Sequence, residues 1–108
     1  KAEDGWKDGF LAGYSPHTTC GLTINEGWDP DVKADMERFL AARVPQDWGF
    51  RHAEGNSDAH IKTSFFGSSV LVPVADGRPD LGQWQAVYLC ESDGPRMRTL
   101  RVSFLKEA

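Results

Sequence analysis

The segment that opens with Asp29-Pro30-Asp31 and closes at Pro45 constrains the fold more than any other stretch of the chain. Asp29 offers a side-chain acceptor to the free amides of a helix start, Pro30 has the fixed φ that suits the first helical position, and Asp31 complements the positive end of the helix dipole. Val32, Met36, Phe39, Leu40 and then Arg43 or Val44 follow at helical spacing. Lys33 and Glu37 stand four apart, placed to pair on the solvated side, and Pro45 forces a stop. The spacing predicts a helix over residues 30–43. The flanking sequence has a different period, so the chain reads as a mixed α+β protein.

Residues 10–14 and 18–24 have the aromatic and β-branched content of short strands, with Ser15-Pro16 between them and a polar turn over residues 25–28. The stretch 45–57 lacks a repeating period and reads as a structured loop. Asn56 or Ser57 can cap a second helix over about residues 58–66, ended by Gly67; the same residues also permit a strand. A short apolar strand is expected at 70–74, biased to an edge or a bulge by Pro73. A turn follows at 76–80. The longest strand candidate is 81–91, with Trp84, Ala86, Tyr88 and Cys90 on one face and Gln85, Val87 and Leu89 on the other. Its mostly apolar end suggests a central or interface position. Asp93-Gly94 supplies a hairpin turn, and residues 99–105 alternate, with Leu100, Val102 and Phe104 inward. The last three residues read as a loose end.

A chain of 108 residues is the size of one domain with one core. Its net charge of -4 argues against a nucleic-acid backbone as partner. No apolar run approaches the ~18 to 20 residues that cross a bilayer, and the start lacks a basic segment leading into an apolar one, so a cytoplasmic home and no membrane partner are expected. Cys20 and Cys90 read as core thiols, with no CxxC pair between them.

Chemistry centres on the three histidines, His17, His52 and His60, all in short polar segments. Imidazole carries protons near neutral pH and ligates metals as a neutral nitrogen donor. Three converging imidazoles can hold zinc with a position left for water or substrate. Each histidine taken alone also reads as a hydrogen-bonded surface residue. Acidic candidates are Glu26, Asp29, Glu54, Asp58 and Glu91; Asp29 is also the expected helix cap. Lys62, Arg96 and Arg98 are the candidates for contacting phosphate, arginine being suited to paired phosphate contacts. Thr18, Thr19, Asn56, Ser64 and Ser68-Ser69 can donate to an oxyanion or close turns. No Gly-rich nucleotide loop and no Gly-x-Ser-x-Gly elbow is present.

An ordered set of short motifs runs through nearly the whole chain: His17-Thr18-Thr19, Asn25-Glu26, Asp29-Pro30-Asp31-Val32, Asp35, His52, Gly55-Asn56, Asp58-Ala59-His60 and Gly67-Ser68-Ser69. It continues with Gly77-Arg78, Leu81-Gly82, Trp84-Gln85, Glu91, Asp93-Gly94 and Arg96. This set resembles the YjbQ family, described as secondary thiamine-phosphate synthase enzymes. The resemblance implies two β-sheets in a sandwich-like arrangement with two helices, assembled as a homotrimer, with the histidine segments lining a pocket near subunit boundaries. It further implies a reaction that joins hydroxymethylpyrimidine diphosphate to thiazole phosphate and releases pyrophosphate. By motif match the site residues are His17, Glu26, His52, Asn56, His60 and Gln85. Lys62, Arg96 and Arg98 are then placed for a small phosphorylated metabolite carrying Mg²⁺, and His17, His52 and His60 for zinc. Family members begin with further strand sequence ahead of the Gly5 segment, so an amino-terminal strand is expected to be missing here. Pro79 and Gln83 depart from the family's usual apolar residue and threonine.

Three functions stay open at this point. The first is a small transferase of the thiamine-phosphate-synthase type. The second is a nonenzymatic metabolite-binding or metal-binding trimer, or a metal-dependent enzyme acting on another small phosphorylated substrate. The third is an interaction protein whose aromatic residues build an interface.

Overall fold

A computed structural model describes residues 5–107. It contains β1 (Gly9–Tyr14), β2 (Cys20–Glu26), α1 (Pro30–Arg43), α2 (Ser57–Phe66), β3 (Ser69–Ala75), β4 (Arg78–Pro79), β5 (Gln85–Glu91) and β6 (Arg101–Lys106). Two antiparallel sheets result, one four-stranded in the order β4-β3-β1-β6 and one a two-stranded ribbon of β2 and β5. The chain is therefore an α+β protein with two sheets and two helices.

Register explains the layering. Leu11 is paired with Val72 on one side and Phe104 on the other, so these side chains share the inner face of the four-stranded sheet. Val72 is 1% exposed, and Leu22 of the ribbon is 2% exposed. Gly13 allows the two layers to meet, because a Cβ there would sit 3.7 Å from Leu22 Cδ1 and 3.3 Å from Val70 Cγ2. The opposite side of the ribbon rests on α2: Leu22 N–H donates to Gly67 O at 3.0 Å, where α2 ends. A Cβ on Gly21 would lie 2.6 Å from that same carbonyl.

The helix expected at 30–43 forms over those residues, with Asp29 accepting from Asp31 N–H at 2.9 Å. Its side chains behave differently from the expectation. Lys33 and Glu37 face a cleft between α1 and the ribbon together with Met36 and Leu40, and α1 buries no residue completely. The ambiguity at 58–66 resolves as a helix.

Asp76 and Gly77 both have positive φ, 52° and 75°, which is the backbone of a tight hairpin turn into β4. Pro73 sits in β3 without a bulge. Its carbonyl accepts from Asp80 N–H at 2.7 Å, so its missing N–H faces the outer side where β4 is only two residues long.

Several expectations are corrected. The strand expected at 81–91 starts at Gln85, because Gly27 and Trp28 donate to the carbonyls of Trp84 and Gln83 and hold them in a loop. Among the described residues its partner is β2 alone, so it is not central there. The segment at Asp93-Gly94 is no hairpin turn: β5 and β6 belong to different sheets, and residues 92–100 cross between them. Of the set expected to point inward, Phe104 is half-buried and stacks on Trp6 at 5.3 Å, Val102 is exposed on the edge strand β6, and Leu100 is exposed just ahead of that strand. The carboxy-terminal residues are tied down, with Glu107 N–H donating to Asp8 O at 2.9 Å; Ala108 lies outside the described residues. Among the described residues no helix is long and apolar enough to cross a membrane.

Candidate functional site: a histidine and arginine pocket

The crossing segment 92–100 runs past the loop between β1 and β2 and past the start of α2. The space between them is a pocket of about 270 Å³. His17, Thr18 and Thr19 come from the first loop, Asn56 and His60 from the helix start, and Asp93, Arg96 and Arg98 from the crossing segment; Glu54 adds a carboxylate at the rim. Three stretches far apart in sequence, 16–19, 54–60 and 93–98, thus converge.

Asp93 is the hub. Its Oδ2 accepts from Asn56 Nδ2 at 2.7 Å and pairs with Arg96 Nη2 at 2.9 Å, while Arg96 Nε donates to its backbone carbonyl at 2.9 Å. The Asn56 hydrogen bond, aided by the charges of Arg96 and Arg98, holds the Asp93 carboxyl below its ordinary pKa. Asn56 occupies the helix N-cap position, but its side chain makes no capping bond; it is spent on Asp93. Its Oδ1 is buried without a protein partner.

Arg98 takes a different role. Its Nε donates to Glu91 Oε1 at 2.6 Å, and Nη2 reaches both Glu91 Oε2 and Thr19 Oγ1, the latter at 2.9 Å. These hydrogen bonds hold the Glu91 carboxyl down at about 2.

The imidazoles are arranged in two groups. His52 and His60 stand edge to face with ring centres 5.2 Å apart, and His52 Nε2 lies 3.2 Å from Glu54 Oε1. His17 is apart from them: its Nε2 accepts from Thr99 N–H at 2.9 Å. An amide N–H can only donate, so neutral His17 carries its proton on Nδ1.

Of the residues singled out in the sequence, His17, Asn56, His60, Arg96 and Arg98 line this pocket and His52 adjoins it through His60. Glu26, Lys62 and Gln85 do not line it. Glu26 and Lys62 border the cleft of about 250 Å³ beneath α1, Lys62 is paired with Asp58 at 3.2 Å, and Gln85 Oε1 accepts from Gly82 N–H at 2.8 Å. In the sequence Asp93 reads as a turn residue and as part of the Asp93-Gly94 motif, not as a site residue. A pairing with Asn56 across 37 positions leaves no local signal.

The comparisons with known proteins agree with this fold. A family described as UPF0047 protein YjbQ-like matches residues 1–107. The chain belongs to that YjbQ-like family. The UPF0047 protein of Methanocaldococcus jannaschii is 50% identical over 99 residues, covering 92% of this chain and 72% of the relative. YugU of Bacillus subtilis is 48% identical over 104 residues, covering 95% and 79%. Among solved structures, a conserved YjbQ/UPF0047-family protein from Clostridium acetobutylicum superposes with a TM-score of 0.90 at 44% identity, covering 94% of this chain and 79% of that one. A conserved protein from Thermus thermophilus gives a TM-score of 0.88 at 44% identity, covering 94% and 81%.

Proposed function

We propose that the histidine and arginine pocket binds the diphosphate of a small phosphorylated metabolite and carries the secondary thiamine-phosphate synthase reaction, in a cytoplasmic homotrimer. The observation that supports this reading is the convergence of Arg96, Thr18, His17 and His60 on one open pocket from separate parts of the chain. In that reaction a thiazole ring nitrogen attacks the methylene carbon of hydroxymethylpyrimidine diphosphate. A C–N bond forms, the C–O bond to the diphosphate breaks, and pyrophosphate leaves with the bonding electrons. Negative charge grows on the departing oxygens, where cations and N–H donors lower the barrier most. Arg96, with its side chain 53% exposed, is the cation open to solvent, and Nδ1–H of His17 is a donor not taken by Thr99.

Mg²⁺ bound to a diphosphate keeps several waters and needs one or two protein carboxylates. Asp93 is committed to Asn56 and Arg96, so Glu54, whose Oε1 lies by His52 Nε2 but whose side chain is 70% exposed, is the carboxylate that fits. Mg²⁺ would supply charge neutralisation on the phosphates. The test is pyrophosphate release from the two substrates in the presence of Mg²⁺. Turnover that is lost in His60→Ala with helix content unchanged is the expected result; no release from correctly assembled protein would reject the reading.

The edge-to-face approach of His52 and His60 favours one alternative, a zinc-binding or nonenzymatic metabolite-binding trimer. The fit within one chain is poor. Among the described residues no three His, Cys, Asp or Glu side chains form a metal-binding group, and Nε2 of His17 is occupied by Thr99. Metal analysis of protein purified without a metal-affinity tag decides it: about one zinc per chain, lost on replacing His52 or His60, would put this alternative first.

A further inference from the structure

The two arginines of the pocket look equivalent in the sequence but are held in different ways. Among the described residues Arg96 bonds only to Asp93, and it keeps about half of its side chain exposed. The Arg98 side chain is 11% exposed, and its Nε and Nη2 donors are committed to both oxygens of Glu91 and to the backbone and hydroxyl oxygens of Thr19. An anion that took the paired Nε and Nη2 edge of the guanidinium would have to displace a carboxylate. Arg98 therefore joins three pieces of backbone: the end of β5, the loop carrying His17 and the crossing segment on which Arg98 itself sits.

Thr99, the next residue, donates its N–H to Nε2 of His17. A backbone amide placed by an anchored neighbour is a fixed donor, and such a donor selects which imidazole nitrogen keeps the proton. A further hydrogen bond from His17 N–H to Ser15 Oγ at 3.4 Å ties the same loop to the sheet, but it does not touch the ring.

We propose that Glu91 and Arg98 form a clamp that positions His17 through Thr99, fixing the Nδ1–H tautomer, and that Arg96 is the principal anion contact of the two arginines. Arg98 is thus a positioning residue. This inference rests on the diphosphate-binding reading of the pocket for its second half only; the tautomer is independent of any ligand.

The two roles predict opposite signs for Glu91→Gln. Were Arg98 an anion contact, neutralising Glu91 would free the guanidinium and tighten binding of inorganic pyrophosphate. As a clamp, the same change loosens the pocket and weakens it. Affinity is measured by isothermal titration calorimetry on the full chain for Arg96→Gln, Arg98→Gln, Arg98→Lys, Glu91→Gln and the double variant of Glu91→Gln with Arg98→Gln. The His17 tautomer is read from long-range ¹H–¹⁵N spectra of the imidazole, and helix content from circular dichroism.

Expected are a roughly tenfold loss of pyrophosphate affinity in Arg96→Gln, as for removal of one charge-assisted contact, with the His17 tautomer unchanged. Glu91→Gln and Arg98→Gln should each mix the tautomers and weaken binding, with no further loss in the double variant, since partners in one network are not additive. Arg98→Lys, which cannot bridge Glu91 and Thr19 with a planar fork, should restore little. Tighter binding in Glu91→Gln, or a single unchanged tautomer in both clamp variants, would overturn the proposal. If Arg98→Gln fails to fold, Glu91→Gln still decides. Absence of pyrophosphate binding in the wild-type protein would reject the diphosphate reading and, with it, the role given to Arg96, while the tautomer measurement would still decide the clamp.

Discussion

Among the described residues, Glu91 is the carboxylate held furthest below its ordinary pKa. Arg98 supplies two hydrogen bonds and a full charge to it, Asp93 N–H donates at 3.0 Å, and its pKa falls from 4.5 to about 2. Unfolding returns the group to 4.5, so between pH 4.5 and about 2 the unfolded chain binds the extra proton. Stability contributed by the pair is then complete above pH 4.5 and drains away as pH falls through that window. Urea midpoints of the wild type should drop between pH 5 and 3 more steeply than those of Glu91→Gln, and parallel profiles would mean that the pair contributes nothing. The residues of this pocket were legible as chemical types but not as partners. His17, Asn56, His60, Arg96 and Arg98 could be singled out from side-chain chemistry and motif order. That Asn56 serves Asp93 instead of capping its helix depends on where the crossing segment runs, and no local rule specifies that. Glu26 and Gln85 stand out equally in the sequence, yet they face each other across the far end of the β2-β5 ribbon.

At the scale of elements, the close seat of β2 on α2 rests on one glycine. A Cβ on Gly21 would fall 2.6 Å from Gly67 O and 3.2 Å from Phe66 Cβ, and the nearer obstacle is backbone, which cannot rotate aside. Gly21→Ala should therefore destabilise the fold by about 1 to 3 kcal/mol, the usual cost of overpacking, visible as a lower thermal midpoint. An unchanged midpoint would show that α2 can shift freely on the ribbon. Elements built from local chemistry were readable: α1 carries its own cap and stop, and Asp76-Gly77 its own turn. The error at Asp93-Gly94 has the same root. Local turn chemistry says that the chain bends there, whereas the choice of sheet for β6 is made by its pairing with β1, more than 80 positions away.

At the scale of the whole molecule, the four-stranded sheet has two apolar faces and the described residues cover one. Register places Phe10, Leu71 and Leu105 together on the outer face, with Tyr14 beyond them, and these side chains are 42%, 56%, 55% and 46% exposed. Soluble monomers rarely leave a contiguous patch of this kind open to water, because each buried square ångström of apolar surface contributes roughly 25 cal/mol. A closed assembly that buries the patch accounts for both the outer-face apolar residues and the bare edge of β6, and the proposed homotrimer is such an assembly. Sedimentation equilibrium should then give about 36 kDa, three times the 12.0 kDa of one chain. Leu71→Lys, which puts a charge into the middle of the patch, should move the mass toward that of one chain. Met97→Lys is the control, since Met97 is 96% exposed on the crossing segment and outside the sheet, and its mass should not change. A single-chain mass for the wild type at micromolar concentration would reject the trimer. An intact trimer in Leu71→Lys would instead place the interface elsewhere, on the exposed Val87 and Leu89 of the ribbon, and leave the outer face of the large sheet for another partner.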